Sequence, residues 1–113
     1  MKVVVYTEYG PPEVLRFQEL EKPTPRDHEV LVRVQASTVT IGDTIMRSLN
    51  LPVSGWQKIM GRLILGWRRP RHPILGMELA GEIEAVGPKV TRFQPSDAVF
   101  ASTFAVHFGG YAE

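Results

Sequence analysis

The chain contains no cysteine. That absence removes disulfide frameworks, thiolate nucleophiles and Cys-based zinc sites together. Net charge is almost missing as well: 13 Lys and Arg against 12 Asp and Glu leave +1 over 113 residues. So even a balance sets up no global field for nucleic acid or a membrane surface, and neither is expected as a partner. No apolar run is long enough to cross a bilayer. The opening Met1-Lys2-Val3-Val4-Val5-Tyr6 is too short for a signal-peptide core, so a cytoplasmic location is expected. There is no internal repeat, no strand–helix alternation and no G-x-G-x-x-G, so a dinucleotide-binding fold is not contained here. His28, His72 and His107 lack the spacing of a metal motif and read as ordinary histidines.

What is present is one domain's worth of chain, 43% apolar and 22% charged, which fits a globular protein with a modest core. Proline and glycine punctuate it. Residues 2–6 read as a first strand, Gly10-Pro11-Pro12 as a turn, and residues 14–19 as a second strand paired with the first. Pro23 and Pro25 bracket an extended linker. In residues 29–36, Val30, Val32 and Val34 share one face and Arg33 and Gln35 the other, the alternation of a half-buried strand. Asp43 is placed to cap a short helix over residues 44–48.

From residue 56 to 67 the texture changes. Trp56, Ile59, Met60, Leu63 and Trp67 fall at near-helical spacing with Lys58 and Arg62 between them, and Arg68, Arg69 and Arg71 follow. Three readings compete: a lid over an apolar substrate pocket walled by Trp56, Met60 and Trp67; a basic amphipathic surface for membrane or nucleic acid; and a helix that packs its apolar face on the rest of the domain, which is the ordinary expectation. Next comes Pro73-Ile74-Leu75-Gly76-Met77-Glu78, read as a buried turn in which Glu78 needs a partner such as an arginine. It feeds a strand over residues 82–86 that ends at Gly87-Pro88. Residues 98–101 make a last short strand. Many short strands with one or two short helices argue a mainly-β domain.

The run P-x-L-G-x-E-x-x-G-x-I-x-x-V-G, carried by residues 73–87, resembles the centre of the catalytic domain of the medium-chain dehydrogenase/reductases. Tyr9-Gly10-Pro11-Pro12-Glu13-Val14-Leu15, the segment 36–47, the run Val90-Thr91-Arg92-Phe93-Gln94-Pro95-Ser96-Asp97-Ala98-Val99-Phe100 and Gly110-Tyr111-Ala112-Glu113 resemble further family segments in the same order. The resemblance implies a GroES-like, partly open β-barrel covering residues 1–113: the N-terminal domain, read as a fragment, of an enzyme whose nucleotide-binding domain is not in this chain. Met77 stands where the family's zinc enzymes carry a histidine ligand, and Thr40 where they carry a cysteine. The resemblance is therefore to the zinc-free, quinone oxidoreductase-like branch, with no metal. Ser96 replaces a usual glycine and costs stability if its φ is positive.

What this implies about function is an NAD(P)H-dependent oxidoreductase. NADPH or NADH, held mainly by the absent domain, would pass hydride to a small quinone, enone or aldehyde, an alcohol being the partner when hydride moves the other way. Thr40 and Asp43 are the implied catalytic residues, and with Arg47 they would meet the nicotinamide end of the cofactor. Met46, Trp56, Met60 and Trp67 are the candidate pocket walls. The chain alone is expected to be inactive, and a homodimer is expected only of a full-length form. The competing reading is a stand-alone GroES-like binding or scaffold module without activity.

Overall fold

The computed structural model describes residues 1–106 and 108–112; His107 and Glu113, both named above, lie outside the described residues. β1 (Lys2–Tyr6) and β2 (Leu15–Glu19) form an antiparallel hairpin with Lys2 opposite Glu19 and Tyr6 opposite Leu15. The proline-rich turn closes as one 3-10 turn, Pro12–Val14, with proline in its first positions, where a missing N–H costs nothing. β1 is the inner strand: Val3, Val5 and Tyr6 are buried, while β2 turns Phe17 outward, 86% exposed. The free edge of β1 is stitched to distant chain. Val3 bridges Ala112 and Val5 bridges Ile74, and the N–H groups of Val4 and Tyr6 donate to the carbonyls of Tyr111 and Pro73 at 3.0 and 2.9 Å.

The second sheet has the order β3–β4–β5, all antiparallel, built from β3 (Val30–Ser37), β4 (Glu78–Val86) and β5 (Ala98–Ser102). The two sheets do not close on one another, so the mainly-β, partly open barrel architecture holds. β4 begins at Glu78 rather than at residue 82. Glu78, Leu79 and Ala80 already pair with Ser102, Ala101 and Phe100 on one side, and Leu79 and Ala80 pair with Ser37 and Ala36 on the other. A strand paired on both edges needs no clean alternation of its own. The β3–β4 register slips twice, passing over Glu84 and Gln35. Such bulges locally re-aim side chains. Glu84 accepts from Lys22 at 2.8 Å and Arg33 at 3.1 Å, and these two bonds hold its carboxyl below the usual glutamate range.

Two helices interrupt the strands: α1 (Ile41–Ser48) and α2 (Trp56–Leu65). α1 starts three residues earlier than expected and its N-cap is Thr40, not Asp43; Asp43 is the third helical residue. The expected packing of α2 is overturned: none of its residues is buried. The core lies at the β1 end of the molecule, where Tyr6, Val14 and Leu75 are enclosed by Tyr9, Leu15, Met46 and Tyr111. Among the described residues no helix is long and apolar enough to cross a membrane.

Candidate functional site

Three stretches distant in sequence converge behind α1. β3 delivers the chain to Thr40, whose extended φ of −105° and ψ of 166° suit an N-cap. Thr40 Oγ1 accepts the Asp43 N–H at 3.3 Å, and Asp43 Oδ2 accepts the Thr40 N–H at 2.9 Å, a complete capping box. Asp43 does more than that. Its Oδ2 also accepts the Thr40 hydroxyl at 3.0 Å, and its Oδ1 accepts the Gly76 N–H at 3.0 Å. With only 2% of its surface exposed, this carboxylate is bonded on both oxygens, as a buried polar group must be.

Gly76 earns its place by backbone geometry. Its φ is 107°, and a Cβ there would lie 2.6 Å from Gly110 Cα. No side chain fits where these two segments cross. The Gly76 carbonyl receives the hydroxyl of buried Thr103 and the N–H of Gly110. Gly110 leads to Tyr111, whose hydroxyl is buried without a well-formed hydrogen bond. Burial first, and the neighbouring Asp43 carboxylate second, push that phenol up to about 12. Met77 fills the remaining side. Its Sδ lies 3.7 Å from Thr40 Oγ1 and presses on Gly42, where a Cβ would come within 2.5 Å of the sulfur.

The chemistry open to Thr40 follows from its hydrogen bonds. A hydroxyl has one proton and two lone pairs. Here the proton is directed at Asp43 Oδ2 and one lone pair takes the Asp43 N–H. One acceptor position remains. Thr40 can therefore receive a hydrogen bond from a ligand N–H or O–H, but cannot donate one without releasing Asp43.

Arg47 Nε donates to the Gly10 carbonyl at 3.1 Å while the Gly10 N–H donates to the Arg47 carbonyl at 3.0 Å, tying α1 to the first turn. Met46 packs against the core cluster. Trp56, Met60 and Trp67 are 70%, 45% and 51% exposed. Glu78 is exposed, not buried, and accepts the Thr38 hydroxyl at 3.0 Å in place of an arginine. Thr38, Glu78 and Ser37 form the polar end of a groove of about 500 Å³ whose remaining wall is Ala36, Leu79, Ala80 and residues 100–102. Thr103 had no sequence signal at all: a lone threonine after a strand is unremarkable until Gly76 is found beside it. Among the described residues no three histidines, aspartates or glutamates gather into a set that could hold a metal ion.

Comparison with known proteins bears on the fold. The family model described as the alcohol dehydrogenase GroES-like domain matches residues 26–113. The quinone oxidoreductase of Lama guanicoe is 38% identical over the whole of this chain, and the human quinone oxidoreductase 36%. The chain spans 30% of the length of each. Among solved structures, a Pseudomonas syringae quinone oxidoreductase superposes with a TM-score of 0.70 at 34% identity, over 90% of this chain and 27% of that one. An Escherichia coli quinone oxidoreductase complexed with NADPH gives 0.69 at 25% identity over the same shares.

Proposed function

We propose that this chain, which belongs to the alcohol dehydrogenase GroES-like domain family, supplies the N-terminal substrate side of a zinc-independent, NAD(P)H-dependent oxidoreductase acting on a small quinone, enone, aldehyde or alcohol. The observation that carries this reading is the Thr40–Asp43–Gly76 node, a buried carboxylate that pins one hydroxyl with a single acceptor lone pair left over.

A reduced nicotinamide, when bound, supplies the hydride. The residues here fit it in donor chemistry: its carboxamide N–H and ribose hydroxyls are donors, and Thr40 offers an acceptor. Asp43 holds Thr40 in that orientation from behind, so the hydroxyl need not reorganise when ligand arrives. Arg47, through its bonds to Gly10, keeps the C-terminal half of α1 fixed and leaves the rest of its guanidinium for a cofactor phosphate. Zinc independence is supported by the donors themselves. A threonine hydroxyl already engaged with a carboxylate and a thioether form a poor zinc pair, and among the described residues no set of histidines or carboxylates gathers that could hold a metal. In this reading the whole enzyme works in the cytoplasm and forms a homodimer through its cofactor domain.

The test is NADPH and NADH oxidation with a small 1,4-quinone, measured on the chain extended in frame through its nucleotide-binding domain. Turnover that is unchanged by a chelator and falls at least about tenfold in Thr40→Val, the loss of roughly one oriented hydrogen bond, is expected. A well-folded extended chain that neither oxidises either cofactor with a quinone, enone or aldehyde nor reduces NADP+ or NAD+ with an alcohol sinks the reading and leaves the scaffold module.

A further inference from the structure

Helix α2 is amphipathic, but it is turned the wrong way for a core helix. Trp56, Ile59, Met60, Leu63 and Ile64 recur at i, i+3, i+4, i+7 and i+8, so they share one face. That face looks outward, its members 45–70% exposed. The opposite side is what touches the domain. Leu51 Cδ1 fills the space a Gly61 Cβ would take, and the Tyr9 hydroxyl donates to the carbonyls of Leu65 and Gly66 at 3.2 and 2.8 Å. The helix is thus anchored by its small, narrow side and presents its apolar side to the surroundings. Trp67, also exposed, follows the helix end, with the Arg62 guanidinium 5.5 Å from its ring centre.

The charge along this stretch of sequence has one sign. Between Asp43 and Glu78 there is no acidic residue, while Arg47, Lys58, Arg62, Arg68, Arg69 and Arg71 are all basic. The near-zero net charge of the whole chain conceals this segregation. We propose that α2 and the turn after it form a peripheral binding surface for an anionic lipid bilayer, the helix lying in the headgroup boundary with its apolar face in the acyl region. Exposed aromatics backed by cations are the composition such helices share. Ile59, Leu63 and Ile64 argue against nucleic acid, since aliphatic side chains give bases nothing to stack on. A stretch with basic residues and no acidic one argues against a second copy, because apposed faces would bring like charges together.

The experiment is co-sedimentation and tryptophan emission with vesicles of phosphatidylcholine, with and without phosphatidylserine. Binding with a blue shift is expected only on the anionic vesicles, weakening as salt is raised. Replacing Arg68, Arg69 and Arg71 together by serine should lower the partition roughly a hundredfold. Leu63→Gln with Ile64→Gln should abolish the shift, with circular dichroism unchanged because both side chains are exposed. The proposal is overturned by no binding, by equal binding to neutral and anionic vesicles, by binding of nucleic acid instead, or by self-association that hides Trp56 without vesicles. It is also overturned if a chain extended through the cofactor domain no longer binds. None of these readouts depends on hydride transfer, so the enzyme reading can fail separately.

Discussion

Asp43 and Gly76 are 33 positions apart, yet the Asp43 carboxylate accepts the Gly76 N–H at 3.0 Å. That bond locks the N-terminus of α1 to the chain crossing at Gly110. The same carboxylate closes the capping box with Thr40, so one buried side chain serves helix, crossing and candidate site at once.

Removing it should therefore hurt more than removing the cap. Asp43→Ala leaves the Gly76 and Thr40 N–H groups without their partner and is expected to cost about 3 kcal/mol. Thr40→Ala should cost about 1 kcal/mol, the usual value of an N-cap. Urea unfolding of the two variants compares them directly. Equal losses would mean that the Gly76 bond contributes nothing.

Gly76→Ala should be the harsher glycine substitution. The new Cβ would sit 2.6 Å from the Gly110 backbone, with φ at 107°. Strain and overlap together are expected to remove about 3 kcal/mol or more. Gly55, with φ 62° and ψ −134° but open space around it, should lose about 1–2 kcal/mol as alanine, from backbone strain alone. The comparison separates backbone strain from steric exclusion by denaturant midpoint.

Ser96 is expected to be a site of gain. It holds a φ of 76°, the region the sequence comparison marked as costly for a non-glycine. Its N–H bond to Ile83 is made by the backbone and survives substitution. Ser96→Gly should therefore stabilise the chain by about 0.5–1 kcal/mol, the relief of left-handed strain less the added unfolded-state entropy. A thermal midpoint that stays put or falls would show that the strain is already absorbed.

Alkaline pH should unfold the chain more readily than its neutral behaviour suggests. Burial raises the Tyr6 phenol, and burial with the Asp43 carboxylate raises Tyr111 from 10.0 to about 12. The folded state then keeps protons that the unfolded state releases. The stabilisation is fully present below pH 10 and is lost as pH rises towards 12. Denaturant midpoints across that window should fall, and Tyr111→Phe should flatten part of the fall. A midpoint independent of pH there would contradict the burial.

The strands were readable because their signals are local. Valine alternation at 30, 32 and 34 and the Gly-Pro turn at Gly10 place β3 and the first hairpin with little error. The early start of β4 was not readable. Glu78-Leu79-Ala80 has no strand period, and only pairing on both edges makes it one. The shift of the cap from Asp43 to Thr40 is similar. Each is a good cap in isolation, and the Gly76 bond at 3.0 Å settles which one is inside the helix.

What the residues determined by themselves was composition and local order: no cysteine chemistry, a mainly-β chain, a helix at α2, and a family whose motifs run the length of the chain. Those depend on neighbours in sequence, and the sequence states neighbours outright. What only the tertiary structure decided was direction and meeting. The period of α2 fixes that it has an apolar face, but not where the face looks, because that depends on Leu51 and Tyr9 occupying the other side. The site likewise exists because residues 40, 43, 76, 103 and 110 arrive at one point, and no local rule carries information about segments so far apart.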